Sequence, residues 1–428
     1  MKKKQYSPWI WIPSLCVAEE IPAAVVMFVA VLMFLQFGAD EGMAALYSGL
    51  LFLPWVMKSY LYSKVRKAGS FKRRLHWVEL TMFVCLMGIA VYISEAKVKD
   101  WLLFVFLYVL SCLCAWHELL SRMYYGRMLE PREQRLYGNT KMVSSQMALV
   151  VTYGVLIIVA GFFEVFFRSY QKAWAMESSL VAGGFLIFCV LNLVVLPHLR
   201  VPQPYRYESV ADTVKNEWHI VSRIRQKPHI FPILLSLFFL LLPQSLMFNP
   251  RVFFLLASSE RGGLDCSFQD VGFAQGTIGV LAFSIGIALG RALMRKYGNR
   301  SMFSMTAVVL TLSPVPYMLM ARQPQLGNMF LLCCMTFVAQ LFFGFGLNVC
   351  RVYVPYISEQ RYRNVTNFLY LPMVASLMVV PMAVSGWLCS ELGYSTFFML
   401  CVCIAPLAWV VLALCKTKKY LLMGVDKG

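Results

Sequence analysis

The sequence predicts an all-α polytopic membrane protein with twelve transmembrane helices in two six-helix halves, and three observations carry that reading. The chain is 59% hydrophobic and 14% charged over 428 residues, with a mean hydropathy of +0.65, whereas soluble domains carry about 25% charged residues. Apolar runs recur along its whole length at about one per 35 residues, each long enough to cross a bilayer. Helix is the expected form, because backbone groups in hydrocarbon must be satisfied within the segment. Alternating strands of about ten residues, the mark of a membrane barrel, are absent. This composition already excludes most soluble enzyme classes.

The first span, 9–36, follows Lys2 to Lys4 and is interrupted by Glu19 and Glu20. It lacks a small-residue cleavage site, so it reads as a retained span and not a removed signal. Pro22 frees a backbone carbonyl and bends the helix, which turns one carboxylate toward a cavity; the other reading leaves both acids hydrated near the interface. The second span, 43–62, ends in Leu53-Pro54-Trp55-Val56-Met57-Lys58, and Lys58 either snorkels or touches a solute. Spans 76–94 and 101–124 follow, the latter carrying the densest polar run, His117-Glu118 through Ser121-Arg122 to Tyr124-Tyr125. Span 142–167 ends at Glu164 and Arg168, four apart and read as a surface pair. Span 178–197 closes the first half.

The second half runs through spans 229–250, 271–293, 301–320, 328–354, 365–389 and 394–415. Gln244, Asn249 and Gln275 are neutral polar residues in its first two spans, with Arg251 at an outer end. Glycines at 272, 276, 279, 286 and 290 recur at three, four or seven residues. They form one smooth stripe that lets helices approach closely. Gly298 falls at the tight point of the following loop. Gln340, Gly344, Asn348 and Arg351 share one face of the tenth span. Such amides suit sugar hydroxyls and N-acetyl groups, and they equally glue helices together.

The net charge is +18, and its distribution decides its meaning. Of the 39 Lys and Arg, 32 fall on the side bearing both termini and 7 on the other. By the positive-inside rule both termini are cytoplasmic, and the basic residues face anionic lipid and not nucleic acid. Residues 198–228 are the longest polar stretch and separate an N-terminal bundle, 1–197, from a C-terminal one, 229–415, with a tail at 416–428. A short basic loop links the second and third spans of each half, Lys64 to Arg74 and Arg291 to Arg300.

A charge at the centre of a span costs about 2.5–3.5 kcal/mol, so intramembrane charges locate function. Glu118 and Arg122 are four apart with the acid first, so they share a face; they are either a structural clamp or a switch that an anion opens. His117 reads as a hydrogen-bonded packing residue or a solute contact. There is no phosphate loop and no hydrolase motif. The 13 cysteines, several as Cys-x-Cys, suit neither a disulfide nor a metal. No cofactor, metal or enzymatic activity is expected, which leaves gradient-driven transport.

An ordered set of segments carries a resemblance: Trp11 to Glu19, Leu53 to Lys58, the His117-Glu118 region, Val271 to Gly298, Gly344-Phe345-Gly346 with Tyr353, Thr366-Asn367-Phe368, and Gly386 to Phe398. In these the chain resembles the AmpG-type muropeptide permeases of the major facilitator superfamily, in the form common in Bacteroidetes-like bacteria. The resemblance implies proton-driven import of amino-sugar and muropeptide solutes across a bacterial inner membrane by a protein that needs no oligomer. It departs where the family carries acids: Arg122, Arg66 and Ala339 stand there, which fits an altered anionic substrate or relaxed function. On this reading Glu19 and Glu118 carry protons. Lys58, His117, Arg122, Gln244, Gln275, Gln340, Asn348 and Arg351 are candidates to meet the solute. Import of ferric siderophores, favoured by an aromatic content of 15%, and a non-transporting sensor or partner subunit are the alternatives.

Overall fold

The computed structural model describes residues 6–57, 71–95, 97–197, 229–323, 328–350, 352 and 363–415, with side chains omitted at 300 and 363–375. Ten helices in it are long and apolar enough to cross a membrane. In chain order they are α1 (Pro8–Gln36), α3 (Phe71–Ser94), α4 (Asp100–Met128), α5 (Gly138–Phe167), α6 (Tyr170–Val195), α7 (Ile230–Leu256), α8 (Phe268–Tyr297), α9 (Ser301–Arg322), α10 (Met329–Val349) and α12 (Tyr394–Leu414). The shorter α2 (Glu41–Leu51) and the long α11 (Arg363–Leu392) complete twelve, one for each expected span.

Local chemistry sets the helix ends. Ser7, with Pro8 in the first turn, caps α1; the Asp40 carboxylate accepts the Met43 amide at 2.7 Å to start α2. Ser267 and Asp270 form a reciprocal capping box on α8, and Asn328 caps α10. Each satisfies amides that the first helical turn leaves unpaired. Gly298 stops α8 at φ +82, the left-handed region that glycine enters without a Cβ penalty.

The expected distortion of α1 is present. Pro22 has no amide to donate, and the helix widens into a π segment at Val25–Val29 directly after it. Further π segments occur at Val150–Val155 in α5 and Gly272–Gly279 in α8. Phe28 and Tyr153, one from each of the first two segments, stack with centroids 4.7 Å apart.

The chain divides into two compact units. The first comprises residues 1–39 and 57–217; here α3 packs along α6, and α1 lies against α5, α6 and α4. Trp11 and Tyr124 meet edge-to-face at 5.7 Å in its core.

The second unit comprises residues 40–56 and 218–428, so α2 packs with α11 although it precedes α3 in the chain. Gly42 lies against Trp387, and Gly49 against Ala383. The glycine stripe of α8 meets α10 as expected: Gly286 faces the backbone of Leu341, Gly344 and Phe345. The close approach leaves no room for a Cβ there.

Large apolar side chains such as Phe162, Phe166, Ile187, Phe231 and Phe330 stand 60–78% exposed. An apolar perimeter on this scale belongs in lipid. The 13 cysteines are all free thiols. Cys112 and Cys403 are exposed while Cys114 and Cys401 are buried, as a two-residue spacing on a helix demands.

Candidate functional site

Inside the first unit, a hydrogen-bonded network joins four helices around one carboxylate. Glu79 of α3 is 1% exposed. Its Oε1 accepts from Asn192 Nδ2 of α6 at 2.7 Å and lies 3.2 Å from His117 Nε2 of α4. Its Oε2 lies 3.2 Å from His76 Nδ1, one turn earlier on α3. Asn192 Oδ1 in turn accepts from Ser14 Oγ of α1 at 2.6 Å, and Ser121 Oγ is 3.4 Å from His117 Nδ1. An acid and two imidazoles, each bridging to a neighbour, are a set of groups able to hold and pass a proton within a span.

A second cluster lies on α1, α4 and α5. Arg122 Nη2 is 2.5 Å from Glu118 Oε1, with the arginine side chain 33% and the glutamate 13% exposed. Arg122 also interacts electrostatically with Glu19 and Glu20. Glu20 accepts a short hydrogen bond from Ser145, and Lys141 lies within its electrostatic reach. The structure therefore brings together Glu19, Glu118 and Arg122 from the sequence-derived candidates. His117, adjacent in sequence to Glu118, turns away from Arg122 and binds Glu79.

The amide candidates of the second unit are buried and engaged. Gln275 Nε2 donates to the Tyr317 hydroxyl at 2.7 Å, and Gln244 donates to Ser313. Asn348 Nδ2 donates to the carbonyls of Gly344, Phe345 and Ile287, spanning α10 and α8. Gln340 is 8% exposed, with its Cγ over Gly279, one turn beyond Gln275. Arg251 is also buried at 7% exposure, its guanidinium 5.0 Å from the Phe248 ring centroid. Neighbouring Asn249 accepts from Ser48 at 3.0 Å.

Lys58, Arg66, Tyr353 and Arg351 lie outside the described residues. The expected Glu164–Arg168 pair is corrected: Glu164 accepts from Gln36 Nε2 at 3.2 and 3.3 Å. Arg168 ends α5 in a left-handed conformation, φ 52, which breaks the helical face the two would have shared. Among the described residues no group of three or more His, Cys, Asp or Glu is placed to hold a metal.

The sequence reading passed over Glu79, Asn192 and Ser14, the residues that tie the first network together. The signal available for Glu79 was a carboxylate inside an apolar span with a histidine three positions before it. Glu177, 2% exposed with Oε1 unpartnered among the described residues, was also passed over. The expected span began at 178, but α6 starts at Tyr170 and carries Glu177 two turns inside the helix.

No family model and no curated protein sequence matches the chain. Its fold does match solved structures. The nucleoside transporter NupG is similar over 96% of this chain and 98% of its own, with a TM-score of 0.67 at 12% identity. A bacterial homologue of the human lysosomal transporter Spinster, inward-facing and unoccupied, matches over 97% of both chains with a TM-score of 0.70 at 12% identity. The peptide transporter POT in complex with sulfate matches over 98% of this chain and 96% of its own, with a TM-score of 0.70 at 11% identity. The chain is a multi-pass membrane protein with the major facilitator superfamily fold.

Proposed function

We propose that the chain is a secondary active transporter that imports an anionic amino-sugar or muropeptide-type solute with protons by alternating access. In this reading it works in a bacterial inner membrane with both termini cytoplasmic. The observation that carries it is the Glu118–Arg122 ion pair at 2.5 Å, set among further carboxylates in a fold shared with nucleoside and peptide transporters. Charges held this way inside apolar helices are costly and mark solute or proton paths. A carboxylate on the solute competes with Glu118 for the Arg122 guanidinium, and the displaced Glu118 is neutralised by a proton. Glu19 receives that proton across the same cluster. The Glu79–His117 pair holds α3, α4 and α6 in register behind it.

The test is uptake of labelled N-acetylglucosaminyl-anhydro-muramyl sugar into proteoliposomes under an imposed pH gradient. Glu118→Gln is expected to abolish gradient-driven accumulation while sparing solute exchange. Accumulation equal to the parent's sinks the coupling role. Absence of uptake and exchange by the parent protein, with binding retained in detergent, sinks the transport reading itself.

A further inference from the structure

A cavity of about 430 Å³ lies in the first unit between α3 and α6, apart from the Glu118–Arg122 cluster. Its walls are apolar side chains such as Leu80, Phe83, Leu186 and Val190. Trp77, Leu80 and Val190, 47–64% exposed, place its opening on the apolar perimeter. Its cations, Lys72 and Arg73, stand at one end, and the buried Glu79, already engaged by His76, His117 and Asn192, lies farther along the wall. Lys72 Nζ is held in place by the last turn of α6, donating to the Leu196 carbonyl at 2.6 Å, and exposed Arg73 stands beside it.

The dimensions match half a bilayer. From Lys72 to Phe83 the groove follows α3 for eleven residues, about 16 Å at 1.5 Å per residue, against a hydrocarbon thickness of about 30 Å. Water gains little in such a place, because the walls offer almost no polar partners. An extended acyl chain fits it, and the positive charge of Lys72 and Arg73 at its mouth attracts a phosphate. His76 supplies an independent pointer. Its Nδ1 is engaged with Glu79, while Nε2 has no hydrogen-bond partner among the described residues and His76 lines the groove. With Nδ1 turned to the Glu79 carboxylate, Nε2 is left as an acceptor, and a headgroup hydroxyl beside Arg73 can donate to it.

We infer that this groove is a site for one anionic phospholipid from the leaflet that meets the Lys72 end of α3, with its phosphate on Arg73 and Lys72, a headgroup hydroxyl toward His76, and one acyl chain along Leu80, Phe83 and Val190. Basic pockets between membrane helices select anionic headgroups by this charge complementarity. Through His76 the lipid abuts the Glu79 network, so headgroup identity biases how α3, α4 and α6 are tied together.

Native mass spectrometry of the full chain, equilibrated with equimolar phosphatidylglycerol and phosphatidylcholine, tests the site. The parent is expected to retain one phosphatidylglycerol with about tenfold preference over phosphatidylcholine. Arg73→Gln is expected to lower that preference about fivefold. Val190→Trp, an exposed position whose larger ring fills the groove, is expected to remove the retained lipid while the protein elutes as the parent does in gel filtration. Retention without headgroup preference in the parent, or undiminished phosphatidylglycerol retention in Val190→Trp, overturns the assignment.

Discussion

Asn192 donates to Glu79 at 2.7 Å with its amide nitrogen and accepts from Ser14 at 2.6 Å with its amide oxygen, so one side chain links α6 to α3 and α1. Asn192→Leu keeps the branched shape and deletes both bonds, leaving Ser14 short of an acceptor and Glu79 with one donor fewer. The expected loss is about 1–3 kcal/mol per unsatisfied group, read as a lowered midpoint of thermal unfolding in detergent. Asn192→Asp is expected to be worse, because it sets a second carboxylate against Glu79.

The Glu118–Arg122 pair predicts non-additive behaviour. Glu118→Gln and Arg122→Gln each break the bond and leave the other charge without it, whereas in the double variant neither charge of the pair remains. The double variant is therefore expected to be more stable than the sum of the singles implies, with a coupling of about 0.5–3 kcal/mol in a double-mutant cycle. Strict additivity shows that the pair contributes no net attraction.

Glycine substitutions should separate by position. Gly286→Val puts a side chain into the backbone of α10, while Gly183 and Gly184 of α6 have open space where a Cβ would go. Gly286→Val is expected to abolish folded material in membrane extracts, and Gly183→Ala to leave yield and unfolding midpoint unchanged.

Cys266 offers a pH readout outside the spans. Burial, with Asp270 and Asp265 nearby, pushes its thiol up to about 11. The thiolate is the reactive form, so maleimide labelling should be slow at pH 7 and rise about tenfold per pH unit, with no plateau near the ordinary thiol value of about 8.5. A plateau near pH 9 shows an unshifted thiol.

Glu177→Met tests a buried carboxylate whose Oε1 has no hydrogen-bond partner among the described residues. Removing it should stabilise the detergent-solubilised protein by about 1–3 kcal/mol. A fall in the unfolding midpoint shows that the acid holds its helix in place.

Helix number and type were legible because twenty apolar residues in a row have few structural alternatives. The α8 stripe was legible for a related reason: glycines at three, four and seven residues fall on one face whatever lies opposite. Glu118 and Arg122 were legible because their partners are local, one helical turn apart. Glu79, His117, Asn192 and Ser14 come from four helices, and no spacing within one helix announces a meeting of that kind. The ends of α6 were misjudged because Tyr170 to Glu177 is only moderately apolar. The Ser169 cap, which accepts the Lys172 amide at 3.4 Å, sets the start there.

The placement of α2 bears on how the polypeptide can be dissected. A cut in the polar stretch at 198–228 looks like the natural way to express two halves separately, yet residues 40–56 would leave with the wrong fragment. The amino-terminal piece would carry an apolar helix stripped of the Trp387 and Ala383 surface on which Gly42 and Gly49 rest. The carboxy-terminal piece would display that bare surface, and Tyr394 would lose Glu41, the acceptor of its hydroxyl at 2.6 Å. Fragment studies should therefore reunite both pieces in one membrane, or graft residues 40–56 onto the later half.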